Sequence, residues 1–249
     1  MSPEPKAVLF IADLHLAPET PAITTRFIRF IDAVAHSAAA LYILGDLFEA
    51  WIGDDDLDSP LHRQVTDALS GLNESGVALR LLHGNRDFLI GQAFCRASGA
   101  ELIADPTRIE LFGHTALLMH GDSLCSDDHA YQALRAQMRN PAWQAAMLAR
   151  PLAERRQIAR QMRMESEQAK DAKTYAIMDV NVGTVIETLR AHDCTRLIHG
   201  HTHRPGRHVL DIDDRTCERW VLPDWDATGR GGYLACTAQG CALMPLPSA

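Results

Sequence analysis

The sequence predicts an α/β fold. Apolar runs of strand length alternate with stretches of helical periodicity, and five of the apolar runs end in the same kind of polar cluster. A tail of short β-like segments with Gly-rich turns, from about Arg207 onward, adds a further set of strands.

Each element has its own reason. AVLFIADLH (7–15) is apolar until it ends in polar residues, the pattern of a strand buried on both faces. TTRFIRFIDAVAHSA (24–38) carries Phe27, Phe30, Ile31 and Val34 at helical spacing, so it reads as an amphipathic helix. ALYILGD (40–46) is a second strand, and PLHRQVTDALSGLNESG (60–76) a helix stopped by Gly76. VALRLLHGNRD (77–87), HTALLMHGD (114–122) and TRLIHGHTH (195–203) are three more strands, the last two separated by a long helical stretch. RHVLDID, ERWVLP and GGYLACTA form the β-like tail. There is no internal repeat, so the expectation is one domain over 1–249 with a helical lid inserted at about 125–175.

Bulk composition narrows the function. An apolar fraction of 47% over 249 residues is enough for a real core. A formal charge of −8 disfavours nucleic acid as a partner. No apolar run reaches the ~18–20 residues of a membrane span, and MSPEPKAVLF lacks a secretion-signal pattern. The six cysteines form no CxxC pair and are expected to be reduced thiols. Cys125 is expected to be a small buried hydrophobe.

The five strand ends carry Asp13 and His15, Gly45-Asp46, Gly84-Asn85-Arg86-Asp87, His120-Gly121-Asp122, and Gly200-His201-Thr202-His203. In an open α/β sheet, the carboxyl ends of neighbouring strands form one rim where ligands bind. On an extended backbone, Asp13 and His15 face one side, as do His201 and His203, with Leu14 and Thr202 facing away. The glycines beside Asp46, Asn85, His120 and His201 allow a sharp turn where each strand stops. Asp13, His15, Asp46, Asn85, His120, His201 and His203 are too many ligands for one ion and suit two sharing a bridge, with Asp46 as that bridge. Oxygen and imidazole donors without thiolate suit Mn, Fe or Zn better than Mg or Ca. By alternation His199 shares the side of His201 and is a candidate neighbour of the site. His36, His62, His114 and His192 are expected to be ordinary core or surface histidines.

These blocks, D-x-H, G-D-x-x-[DE], G-N-x-[DE], HGD and G-H-x-H, resemble the calcineurin-type metallophosphoesterases. The resemblance implies a sandwich of two β-sheets flanked by helices (α/β/β/α). It implies one metal held by Asp13, His15, Asp46 and His203, and another held by Asp46, Asn85, His120 and His201. Longer stretches, YILGDLFEAWIGDDD, HGNRDFLIG, HGDSLCSDDHAYQ, AIMDVN and LIHGHTHRP, are similar to the UDP-2,3-diacylglucosamine hydrolase family of lipid A biosynthesis. That resemblance implies two Mn2+ ions per chain and cleavage of a pyrophosphate in a nucleotide-linked glycolipid, giving UMP and 2,3-diacylglucosamine 1-phosphate (lipid X). It places the attack on the phosphorus next to uridine, and the protein peripherally on the cytoplasmic face of the inner membrane.

Arg86 departs from the wider superfamily, many of whose members carry histidine after the asparagine. A pyrophosphate expels a phosphate monoester with a second pKa of about 6, which needs little protonation. A guanidinium on the phosphoryl oxygens is then the more useful group. Its structural alternative is an ion pair with Asp87. Catalytic roles are assigned to Asn85, Arg86 and His120. By resemblance, substrate contacts fall on Asn85, Arg86, Asp128, Ser166, Lys170, Lys173 and His201, with Arg163 weaker. Ser166, Lys170 and Lys173 share one helix face.

Between Tyr131 and Lys173 there are nine Arg and Lys residues against four acids, in an otherwise acidic chain. Apolar residues such as Leu134, Met138, Trp143 and Met162 interleave. Such a cap could present an apolar surface to acyl chains and a basic one to anionic headgroups. The plainer reading is an amphipathic hairpin packed on the core.

Overall fold

The computed structural model describes residues 6–171 and 179–247, with the side chains at 167 and 169–171 also outside the description. Two sheets lie at its centre. The first is ordered β11-β10-β1-β2-β3-β4 and the second β5-β6-β7-β9-β8. In the first, β1 (Val8–Ile11), β2 (Ala40–Leu44), β3 (Ala78–Leu82) and β4 (Glu101–Leu102) run parallel. The antiparallel strands β10 (Gly232–Thr237) and β11 (Gly240–Pro245) extend it beyond β1. In the second, β6 (His114–Leu118), β7 (Arg196–His199) and β9 (Arg215–Val221) are parallel, flanked by β5 (Thr107–Leu111) and β8 (Gly206–Ile212).

Strand alternation builds the layers. Leu9, Ile11, Leu41, Ile43, Leu79 and Leu81 face α1 (Pro21–Ala33), α2 (Pro60–Glu74) and α3 (Gln92–Ser98). Phe10, Ala12, Leu44 and Leu82 instead meet Ala116, Leu118, Ile198 and Trp220 between the sheets. Leu117 and Leu197 turn outward onto α7 (Val182–Ala191), where Val185 and Leu189 are buried. The expected α/β/β/α sandwich is therefore present, and the continuous apolar runs are strands covered on both faces. The five clusters do not share one open sheet. Three terminate strands of the first sheet and two terminate strands of the second, so the rim joins both halves of the sandwich.

The segment before α7 folds as α4 (His129–Met138), α5 (Pro141–Leu148) and α6 (Leu152–Asp171). Asp128 caps α4 by accepting from Tyr131 N, and Asn140 caps α5 by accepting from Ala142 N. Pro141 opens α5 and Pro151 directly precedes α6, as the breaks predict.

The surplus of bases here is largely spent on the core. Arg155 is 3% exposed, donates to Ile52 O, and forks onto Asp55. Arg156 pairs with Asp56, Arg163 with Glu49 at 3.1 Å, and Arg135 with Asp122 at 2.8 Å. Arg139 donates to the carbonyls of His83 and Gly84. Five of the nine bases thus hold the helices onto acidic and carbonyl groups of the core.

The cysteine reading needs correction too. Cys236 and Cys241, opposite each other on β10 and β11, form a disulfide, and Cys95, Cys125, Cys194 and Cys217 are buried thiols outside any disulfide. They were not recognisable as a pair because they join a hairpin outside any motif.

Arg155→Ala strands the Ile52 carbonyl and is expected to lower stability by about 1–3 kcal/mol. Arg160→Ala, at an exposed position on the same helix, should change it by less than ~0.5 kcal/mol in chemical denaturation.

Candidate metal centre

All seven donor residues lie just past a strand end. Asp13 and His15 follow Ile11, Asp46 follows Leu44, Asn85 follows Leu82, His120 follows Leu118, and His201 and His203 follow His199. The backbone there is not extended. Asp13, His15, Asp46, His201 and His203 have φ of 55°, 49°, 53°, 68° and 53°. The shared direction of each pair therefore comes from left-handed turns, not strand alternation. Leu14 is buried in the core as expected, but Thr202 lines the cleft with the histidines. His199 turns away from the donors, its ring nitrogens lying beside Gly200 O and Arg219 Nη1. His62, at 2.9 Å from Asp56 O and packed on Trp51, is a satisfied core residue.

Two glycines are needed for space rather than for their torsion. A Cβ on Gly84 would stand 2.0 Å from Asp46 Oδ1, and one on Gly200 would stand 2.3 Å from Asp13 Oδ2. Gly45 and Gly121, at φ 88° and 115°, are the two that supply the turn.

The donor atoms converge in two groups. In one, His15 Nε2 lies 3.4 Å from His203 Nε2, which lies 3.8 Å from Asp13 Oδ1. In the other, Asn85 Oδ1 is 3.0 Å from both His120 Nε2 and His201 Nδ1. Asp46 Oδ2 stands between them, 3.8 Å from His15 Nε2 and 3.8 Å from His120 Nε2. Asp13 also reaches both groups: ligand atoms of Asp13, His15 and His203, and of Asp13, Asp46 and His120, lie within 4.8 Å of one another.

The donor set fits divalent cations. Asp13 Oδ1 is buried without a hydrogen-bond partner among the described residues. Two imidazole nitrogens face each other, and the donors are carboxylate, amide and imidazole without thiolate.

Several tautomers are fixed from behind. His120 Nδ1 is 2.9 Å from Leu44 O, and His15 Nδ1 is 3.1 Å from Glu49 Oε2, leaving each Nε2 for the site. Asp13 Oδ2 accepts from His201 N, and Asp46 Oδ1 accepts from Arg86 N.

The electrostatics are uneven. Burial pushes the Asp13 carboxyl above its ordinary range. Burial opposes ionisation of Asp46 as well, but the charges of His120, His15 and Arg86 hold its carboxyl below that range. Burial would lower the His120 pKa, yet Asp46, Asp122 and Asp13 outweigh it and raise it to about 9. Burial and then the His120 charge push His201 down to about 3.

Above the donors is a cleft of ≈ 530 Å³. His15, Asp46, Asn85, Arg86, His201 and His203 form its floor, with Asp128, Tyr131, Leu134, Met162 and Ser166 of the helical segment opposite. Arg86 does not pair with Asp87. Its guanidinium lies 3.8 Å from Glu49, and the buried Asp87 carboxylate accepts from Gly84 N and Leu47 N at 2.8 Å each. Cys125 is buried, and burial, then Asp122, pushes its thiol up to about 12. Lys170 belongs to α6, but its side chain and the whole of Lys173 lie outside the described residues.

Four supporting acids carry no assigned role in the sequence reading. Glu49, Asp87 and Asp122 close the G-D-x-x-[DE], G-N-x-[DE] and HGD blocks, so their signal was in the motifs themselves. Asp122 accepts from Tyr131 Oη and Arg135 Nε, tying α4 to the strand end that carries His120. Asp224, 3.6 Å from His203 Nδ1, sits in no motif.

The chain matches the calcineurin-like phosphoesterase family over residues 6–205. Among curated relatives, the UDP-2,3-diacylglucosamine hydrolase of Escherichia coli O81 (strain ED1a) is 49% identical over 97% of this chain and 99% of its own length. That of Aromatoleum aromaticum is 51% identical over 88% of this chain and 89% of its own. That of Cellvibrio japonicus is 50% identical over 94% of this chain and 97% of its own.

Gly84→Ala is expected to displace Asp46 and cost about 1–3 kcal/mol. Gly71→Ala, on an exposed turn of α2 where nothing lies within 4 Å, should gain about 0.5–1 kcal/mol. Denaturant titration of both variants checks the contrast.

Proposed function

The chain belongs to the calcineurin-like phosphoesterase family and, within it, to the UDP-2,3-diacylglucosamine hydrolases, and we propose on that premise that it hydrolyses the pyrophosphate bond of UDP-2,3-diacylglucosamine. The products are UMP and 2,3-diacylglucosamine 1-phosphate, a step of lipid A biosynthesis. The observation that carries the reading is the meeting of seven metal-type donors, five of which line a cleft beside Arg86 whose far wall is partly apolar, with Asp13 and His120 buried behind them.

In this reading Asp13, His15, Asp46 and His203 hold one ion, and Asp46, Asn85, His120 and His201 hold the other. The position of Asp46 Oδ2, equidistant from His15 and His120, suits a shared ligand. The hard and borderline donors suit Mn2+, two per chain. When bound, such a pair lowers the pKa of a water and neutralises phosphoryl oxygens during in-line attack on the uridine-side phosphorus.

The chain's own residues do the rest. Arg86 places its guanidinium in the cleft, where Glu49 holds it, and stabilises charge on the phosphoryl oxygens. Asn85 and His201, whose donor atoms are 3.0 Å apart, orient the reacting phosphate. Asp128 and Ser166 face the same cleft and contact the sugar-phosphate part of the substrate. Lys170 and Lys173 are proposed to join them.

The helices α4, α5 and α6 are proposed to act as a lid on a single domain. Leu134 and Met162 line the cleft, and Leu134, Leu148 and Met164 are exposed, a surface suited to acyl chains. No described helix is long and apolar enough to cross a membrane. We place the protein peripherally on the cytoplasmic face of the inner membrane. The apolar rim serves that contact better than the arginines, most of which bind the core.

Hydrolysis in 18O-labelled water tests the reading. Label is expected in UMP, and label in the lipid phosphate, or no turnover, rejects it. Arg86→Ala should reduce kcat about 10²–10³-fold, with the product label unchanged.

Metal uptake should also release a proton. Only neutral imidazole ligates. His120 is protonated below about 9, so Mn2+ affinity should rise with pH up to that point. His201, neutral above about 3, contributes nothing to the trend. Calorimetry at pH 7.5 in buffers of different ionisation enthalpy should report about one proton from this source.

A further inference from the structure

We infer that Asp224, braced by Arg230, is the positioning residue that aims His203 into the metal centre. The inference rests on the two-metal reading above and adds a residue from outside the motif blocks.

His203 needs a brace. It stands four residues past the end of β7, at φ 53°, with 35% of its side chain exposed. Its Nε2 points at His15 Nε2 and Asp13 Oδ1. Its Nδ1 points at Asp224 Oδ2, 3.6 Å away, just beyond hydrogen-bond length. A histidine that ligates through Nε2 works best when a carboxylate takes the proton on Nδ1, which fixes both tautomer and ring angle. Glu49 stands behind His15 Nδ1 at 3.1 Å, and Asp224 stands behind His203 Nδ1 at 3.6 Å, within a small movement of a hydrogen bond. Each imidazole of this half of the centre thus has a carboxylate behind its outer nitrogen.

Asp224 is itself held from three directions. Leu222 N donates to His199 O at 2.8 Å, and Trp225 N donates to Asp13 O at 3.0 Å. The segment between them is thereby tied to both strand ends that supply this half-site. Arg230 Nη2 donates to Asp224 Oδ2 at 2.8 Å, and the Asp224 side chain is only 6% exposed. A buried acid tied to two ligand-bearing strand ends, and aimed at the outer nitrogen of an exposed ligand, is placed to orient that ligand. It touches no reacting atom.

The test is Mn2+ titration of the full chain, followed by equilibrium dialysis with metal analysis. Wild type, Asp46→Asn, Asp224→Asn and Arg230→Gln are compared. Two ions per wild-type chain, with both weakened in Asp46→Asn, uphold the metal reading; fewer than two reject that reading before Asp224 is considered. Given two, Asp224→Asn is expected to weaken one ion about 10–100-fold and leave the other unchanged.

Arg230→Gln alters a residue 63% exposed, so it keeps the fold even if Asp224→Asn does not. It should weaken the same single ion a few-fold. Nitrogen-15 NMR of the metal-free chains at pH 8 gives a readout that a general loss of packing does not mimic. The His203 ring should carry its proton on Nδ1 in wild type and become a tautomer mixture in both variants. Two ions of wild-type affinity in Arg230→Gln and in any folded Asp224→Asn, with an unchanged His203 tautomer, overturn the inference.

Discussion

Five donor-bearing residues are held in left-handed backbone, and the rest of the site follows from that constraint. Asp13, His15, Asp46, His201 and His203 all have φ between 49° and 68°. For residues with a Cβ this costs roughly 1–2 kcal/mol each. Such a sum is a large fraction of an ordinary domain's net stability, so the surroundings must over-determine the turns. They do so through buried carboxylates that accept backbone N–H groups. Asp87 takes Gly84 N and Leu47 N, Asp13 takes His201 N, and Asp46 takes Arg86 N. The Gly84 bond closes the loop after β3 on itself, and the other three cross from one strand end to another. The same acids that face the centre therefore also tie its loops together, and Gly84 and Gly200 are needed because the loops approach to within a Cβ of each other.

Most of the architecture was legible because buried strands and amphipathic helices leave strong local patterns. Apolar runs such as VLFI and LYIL could only be covered on both faces, and they are. The seven donor residues were legible for a related reason, since each follows such a run by two to four positions. Their local geometry was not legible. Alternation along an extended chain would also have put Asp13 with His15, so the sequence pattern could not distinguish a strand from a left-handed turn. Glu49, Asp87 and Asp122 stood in the motifs, but a motif gives no hint of which acid faces a metal and which a backbone amide. Asp224 left no signal, because its relation to His203 exists only after β7 and β9 pair. The Cys236–Cys241 bridge was hidden in the same way by a hairpin register.

The charge of the helical segment shows how composition can mislead about partners. Nine bases against four acids in an acidic chain suggests a surface built for anions. The partner of most of them is the chain itself: Asp55, Asp56, Glu49, Asp122 and two backbone carbonyls take five of the arginines. Arg155 and Arg156 use neighbouring acids, Asp55 and Asp56, so adjacent positions on α6 lock onto adjacent positions of the loop after β2. That loop carries Asp46, two residues past the strand end. The helix α6 is thus registered to a donor-bearing strand end by ion pairs, and it meets the floor of the cleft through Glu49, which Arg163 and Arg86 share.

Net charge also bears on why the centre needs cations at all. The chain carries −8, and a pyrophosphate diester adds negative charge of its own, so the long-range field opposes binding. Arg86 lies in the cleft but is partly neutralised by Glu49. Its one positive charge cannot compensate for Asp46 on the same floor and the buried Asp13 behind it. On the two-ion reading proposed above, the divalent charge would outweigh these two carboxylates, while neutral imidazoles and an amide would fill the remaining coordination without adding negative charge. An all-carboxylate site would hold the ions more tightly but present less positive charge to the phosphate. On that reading four histidines and an asparagine would leave charge to spare, and Arg86 would have to stabilise only what develops on the phosphoryl oxygens as the bond breaks.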